Sequence, residues 1–107
     1  MENIRNLTPH MVNVWDKNGQ CWDIEPDGMV ARCSQFEETV GELDSIKVTR
    51  QRFGEVIDLP PARVGTWLIV SRIVASALPE RQDLLIPGPL VRDDNGKVIG
   101  CRGLSVL

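Results

Sequence analysis

Reactive side chains are scarce in this chain. It has one histidine, His10, and three cysteines, Cys21, Cys33 and Cys101, odd in number and scattered. No Cys-x-x-Cys occurs, and no His or Cys stands at ligand spacing from His10. Both facts argue against a zinc site or a disulfide framework and leave free thiols on strands as the plainer reading. There is no Walker loop, no GxGxxG, no GxSxG and no paired-carboxylate motif. A nucleophilic triad gathered from distant residues is the catalytic arrangement that sequence alone leaves open. The residues therefore call for no metal, no cofactor and no enzyme. No apolar run approaches the roughly 18 residues of a membrane span. The opening MENIRNLTPH has no apolar stretch of the secretory kind, so a cytoplasmic protein is expected. Repeats and low-complexity stretches are absent too, and 107 residues fit a single domain over 1–107. Its core would be modest, and oligomerisation is a common supplement at that size.

A broad basic face is also missing, since the net charge is −3. That argues against DNA or RNA as partner. The charge is unevenly spread. Residues 23–44 hold seven acids and one base, Arg32, whereas nine of the twelve bases lie from Lys47 onward. Nine of the twelve are arginine, whose planar fork grips phosphate at two points. A phosphate-bearing small ligand fits that bias, and so do solvated surface arginines.

What is present reads as α+β: mainly antiparallel sheet built of hairpins, with one short helix at about 71–78. Residues 11–15 and 21–24 flank Asn18-Gly19, which favours a two-residue type I′ turn and places Trp15 opposite Trp22. That pair serves packing or, alternatively, base stacking. Residues 25–28 form a turn. Residues 29–36 alternate as a strand with Val30, Arg32 and Ser34 on one face, where Arg32 is a ligand contact or an edge charge that blunts aggregation. Residues 37–45 read as an acidic loop. Residues 46–53 read as a strand with Ile46, Val48, Arg50 and Arg52 on one face, two arginines that repel unless an acid or an anion lies between them. Gly54 signals a bulge, and Pro60-Pro61 stops the extended run. Residues 66–70 are continuously apolar, as in a strand buried on both faces. Ser71 caps the helix, with Ile73, Val74, Ala77 and Leu78 as its apolar stripe, ending before Pro79. Strand 84–86 follows. A Pro-Gly-Pro corner and a hairpin around Asn95-Gly96 close the chain, with Val91 opposite Gly100 and Arg92 opposite Ile99.

Rigid corners, glycine amides and guanidiniums suit a pocket that holds an anion and does little chemistry on it. The Leu-Thr-Pro-His segment reads as structural, tying down the entry into the first hairpin, with a pocket or interface role as the alternative. A small hydrolase or cyclase acting on a nucleotide, with His10 or Asp83 as acid/base, is a competing reading. So is a small structural or regulatory protein acting through protein contacts.

Four pieces in order resemble one family: NLTPH (residues 6–10), VARC (30–33), WLIVSRIVASALPERQDLLIPG (67–88) and VRDDNGKVIGCRGL (91–104). They cover about half the chain and resemble the Thoeris anti-defence proteins of the first type, phage sponges for signal nucleotides. The resemblance implies a protein that sequesters glycocyclic ADP-ribose without cleaving it. It further implies a homodimer or homohexamer, in some cases with pockets for cyclic oligonucleotides. Transferred to this chain, it implies Arg32 and Arg102 on the phosphates, Leu78 against the adenine and Pro87 and Gly88 in the pocket wall. Arg50 is the candidate for a second site. Family members place an apolar or aromatic side chain where Leu78 stands, so stacking here would be weaker.

Overall fold

A computed structural model describes residues 3–107; Met1 and Glu2 of the opening segment lie outside the described residues. The fold is α+β, with ten strands and one short helix among the described residues. The strands are β1 (Asn3–Asn6), β2 (Val12–Trp15), β3 (Cys21–Ile24), β4 (Arg32–Leu43), β5 (Ile46–Ile57), β6 (Thr66–Ile69), β7 (Leu84–Pro87), β8 (Leu90–Arg92), β9 (Val98–Cys101) and β10 (Leu104–Ser105), and α1 (Arg72–Ala77) lies between β6 and β7. They form one sheet ordered β1-β6-β7-β10, a second ordered β3-β2-β9-β8, and a separate β4-β5 ribbon.

Leu68, Ile69 and Val70 explain the layering. Alternation sends neighbouring side chains to opposite faces. Leu68 and Val70 join Leu7, Ala31, Val74, Ala75, Leu84 and Ile86 on the helix side. Ile69 instead meets Val12 and Cys101 of the second sheet. The first sheet is thus sandwiched, which is why its central strand has no polar face. α1 begins where the sequence predicts: the Ser71 hydroxyl accepts from the Val74 N–H, and Leu78 is the C-cap. Its buried residues are Val74 and Ala75, while Ile73 of the expected stripe is 37% exposed, because only one narrow side of so short a helix meets the sheet.

Several readings need correction. The first hairpin pairs Val14 with Trp22 and Trp15 with Cys21, so the tryptophans occupy opposite faces. The cause is the turn. Asp16 Oδ1 accepts the N–H groups of Asn18 and Gln20, Asp16 and Gln20 are backbone-paired, and Gly19 alone is left-handed, at φ 81°. This is a three-residue loop with a bulged glycine rather than a type I′ turn, and it slips the register by one. Asp93 repeats the device by accepting from Asn95 and Lys97, so Arg92 faces Val98 rather than Ile99, whereas Val91 does face Gly100. Residues 37–45 are not a loop. Residues 37–43 belong to β4, and Asp44 and Ser45 (φ 48° and 68°) form the tight turn into β5. The acids were misleading because their partners lie across the ladder: Glu42 faces Lys47 and Glu38 faces Arg50. Strand β4 starts at Arg32, since residue 31 is still bonded to the Leu7 carbonyl, and β5 runs on to Ile57 past an irregularity at Gly54. Strand β1 and the parallel pairs β1–β6, β6–β7 and β2–β9 have no counterpart in the sequence reading.

Candidate functional site

Strands β1, β6 and β7 run parallel, so their carboxyl ends share one edge of the sheet. Each hands the chain to a loop there, residues 8–11 after β1, 70–72 after β6 and 87–90 after β7. In open α/β sheets that edge is where ligands bind. These three loops, with parts of β2 and β9, line a cleft of about 850 Å³. That volume falls inside the roughly 300–1,000 Å³ of small-molecule sites.

The loops are fixed from below by Asn6, which is 1% exposed. Its Nδ2 donates to the carbonyls of His10 (2.8 Å) and Ile24 (2.9 Å), and its Oδ1 accepts the Thr8 N–H (3.0 Å) and lies 2.7 Å from the Thr8 hydroxyl. The structural role expected for the Leu-Thr-Pro-His segment is therefore present, and the same bonds set the cleft's first wall. The opposite wall is the corner 86–90, where the Gly88–Pro89 peptide is cis. Gly88 donates to the Gly103 carbonyl and Arg102 donates to the Pro89 carbonyl, so the closing strands hold this corner in place.

The walls are mainly apolar, from Met11, Val12, Ile86, Pro87, Leu90, Val98 and Ile99. Most polar groups at the cleft are already committed: Thr8 to Asn6, Ser71 to the Val74 N–H, and Asn13 to the Ile99 carbonyl and Cys101. Among the described residues, the side chains of His10 and Arg72 carry no such bond, and no carboxylate lines the space. The chemistry on offer is one guanidinium and an imidazole beside apolar walls, which suits an anionic group attached to a flat apolar body.

The residues expected to bind ligand are dispersed within a single chain. Pro87 and Gly88 line the cleft, and Arg102 stands exposed behind the same corner. Leu78 borders a separate hollow of about 520 Å³ beside Pro79, Arg81 and the chain's last residues. Arg32 and Arg50 both lie on the ribbon, roughly 20 Å apart at ~3.3 Å per residue. The acid that the Arg50–Arg52 pair demands is Glu38, opposite Arg50 and bonded to Arg52 at 2.5 Å. Arg92 is tied to its own turn through the Gly96 carbonyl. Asp83 is bonded twice to Arg81 at 2.8 Å, away from the cleft. The Arg81 guanidinium holds the Asp83 carboxyl below its usual range, against the opposing pull of burial. Sequence reasoning did not single out the Arg72 side chain, which lines the cleft. The available signal was its place just after an apolar strand buried on both faces.

Among the described residues, no group of His, Cys, Asp and Glu is placed to hold a metal, and no helix is long and apolar enough to cross a membrane. Comparison with family models, with curated proteins and with solved structures finds no match.

Proposed function

We propose that this protein binds and sequesters a cyclic ADP-ribose-type messenger without cleaving it, as a phage anti-defence sponge in the cytoplasm of the infected bacterium. One observation carries the reading. Residues 8–10, 70–72, 86–88 and 98–101 are far apart in sequence, belong to three of the four segments that carry the family resemblance, and line a single cleft. Arg72 would take the phosphates, with the adenine against Pro87, Leu90 and Ile99. Among the described residues no carboxylate lines the cleft beside His10, which leaves a bound nucleotide without an acid/base pair there and suits retention over turnover. Inhibiting a signal needs an affinity on the order of nanomolar, about −12 kcal/mol. A charge-assisted bond supplies roughly 1.5–3 kcal/mol of it.

The test is native mass spectrometry of the intact protein with glycocyclic ADP-ribose isomers, cyclic ADP-ribose and cyclic di- and trinucleotides, with ligand mass checked after denaturation. A stoichiometric adduct released unchanged supports the sponge. An altered ligand mass means an enzyme, and an empty panel overturns the reading. Arg102→Ala and Arg32→Ala serve as companions, since weakened binding there would move the site away from the cleft.

A further inference from the structure

His10 is the chain's one histidine, and the fold treats its backbone and its ring differently. The backbone is pinned: its carbonyl accepts from Asn6 Nδ2 at 2.8 Å and lies 3.0 Å from the Thr8 hydroxyl oxygen. The ring has no hydrogen-bond partner among the described residues, is exposed, and lines the cleft. A side chain so placed meets a ligand without first breaking an internal bond, which lowers the cost of binding. Arg72 arrives from the next strand. Asn6 faces Ile69 in the parallel β1–β6 ladder, and neighbouring strands lie about 4.8 Å apart. Arg72 follows shortly after Ile69 and His10 is bonded back onto Asn6, so both side chains rise from one end of the cleft, with Pro87 and Gly88 one strand further on.

We propose, on the strength of the cleft's assignment to a diphosphate messenger, that His10 takes up a proton as the messenger binds and serves beside Arg72 as the second cation on its phosphates. Charge balance carries the inference. A diphosphate bridge brings two negative charges throughout the neutral range. Arg72 supplies one positive charge, and no other charged side chain lines the space. The corner 86–90 is uncharged, and the titratable group that β2 and β9 bring to the cleft is the buried Cys101 thiol, directed at the Asn13 carbonyl. Of the nearby acids, Glu25 follows Ile24 but does not line the cleft, and Asp27 is held by Arg5 at 2.7 Å. One ligand charge is therefore left unmatched against largely apolar walls, where an unpaired charge is costly. Imidazole is the side chain whose ordinary charge change falls between about pH 5 and 8, and an anion within about 4–6 Å favours its protonated form. The exposed ring takes that proton from solvent. With the midpoint higher in the complex than in the free protein, binding is tightest in acid and weakens as pH rises through the complex's midpoint.

The single histidine makes the test direct, since its ring C–H resonances are the only ones of their kind. Proton NMR titration of the intact chain, free and saturated with glycocyclic ADP-ribose, should place the His10 midpoint about one pH unit higher in the complex. Affinity in calorimetric titration should be roughly five- to tenfold weaker at about pH 8 than at about pH 5.5. His10→Gln should remove that dependence. His10→Lys carries its cation throughout and should bind at about pH 8 as tightly as the wild type does at about pH 5.5. Far-UV circular dichroism confirms that both variants fold. A bound messenger that leaves the His10 midpoint unchanged, or a pH dependence that survives in His10→Gln, overturns the proton assignment and leaves retention of the messenger intact. Linear ADP-ribose at millimolar concentration separates the two failures. If glycocyclic ADP-ribose does not bind but ADP-ribose raises the His10 midpoint, the messenger falls and the proton-linked site stands. If neither ligand moves it, both fall.

Discussion

Asn6→Ala removes the centre of the network beneath the cleft, and its cost can be worked from the bonds. The carboxamide donates to two carbonyls and accepts from Thr8, and the residue is 1% exposed. Alanine leaves the Ile24 and His10 carbonyls and the Thr8 N–H without this partner. A buried polar group left unpaired costs about 1–3 kcal/mol, and the two at the rim recover part of that from water. A net loss of about 3–5 kcal/mol follows, a large share of the ~5–15 kcal/mol typical of a domain. At ~4–8 °C per kcal/mol, the melting temperature should fall by roughly 15 °C or more. Asn6→Asp sharpens the argument. It keeps the oxygen that faces Thr8 but sets a carboxylate against two carbonyl oxygens. Burial and those oxygens raise the new carboxyl's pKa in the folded state above its unfolded value. A raised carboxyl pKa favours folding while the group is protonated, and the benefit is lost as pH rises through the folded value. Asn6→Asp should therefore be more stable near pH 4 than near pH 7, relative to wild type at each pH. Urea denaturation followed by tryptophan fluorescence measures both. A loss under about 1 kcal/mol for Asn6→Ala, or a pH-independent deficit for Asn6→Asp, would refute the account.

On the proposed sponge reading, Arg72→Ala should weaken messenger binding by roughly 10- to 150-fold in calorimetric titration, the equivalent of one charge-assisted bond, while leaving the melting temperature close to wild type. Gly100→Ala should destabilise by about 1–3 kcal/mol in thermal melts. A Cβ there would run into the Trp15 ring and stand 2.8 Å from the Asn13 carbonyl, and Trp15→Leu in the same chain should recover part of the loss. Asp83 is held below its ordinary pKa by Arg81, so its contribution is present at neutral pH and lost as pH falls through the acid range below about 4. Asp83→Asn should flatten the dependence of urea stability on pH between about 5 and 2, and an unchanged slope would remove the pair from the explanation of acid sensitivity. Ser71→Ala should cost about 1 kcal/mol through the lost helix cap, read from the same denaturation curves.

The features legible in the sequence were those governed by neighbouring residues. Ser71 caps α1, Thr66–Ile69 is a buried central strand, and Val91 faces Gly100, because capping, apolar runs and turns are short-range signals. Misreadings arose where a side chain overrode the local rule. Asp16 and Asp93 bind amides two and four residues on, convert each Asn-Gly turn into a bulged loop and shift the partners of Trp22 and Arg92 by one. The acids of residues 37–42 looked like a loop because the bases that balance them sit across a ladder. The cleft was invisible for a different reason: parallel pairing such as Asn6 with Ile69 joins residues with no local connection, so the convergence of His10, Arg72 and Pro87 leaves no trace in any window of sequence.

The parallel pairing of β2 with β9, Val14 opposite Cys101, also has a temporal consequence. Both walls of the cleft depend on segments from opposite ends of the numbering, Thr8 to Asn13 on one side and Val98 to Cys101 on the other. A growing chain holds every loop of the cleft but the last long before it can close it. The cleft is therefore incomplete while the chain is being made and closes in one late step, when the hairpin of β8 and β9 docks. Such long-range closure is intrinsically slow among small domains. During that interval the apolar surfaces of Val12 and Ile69 lack the cover that Cys101 later gives them.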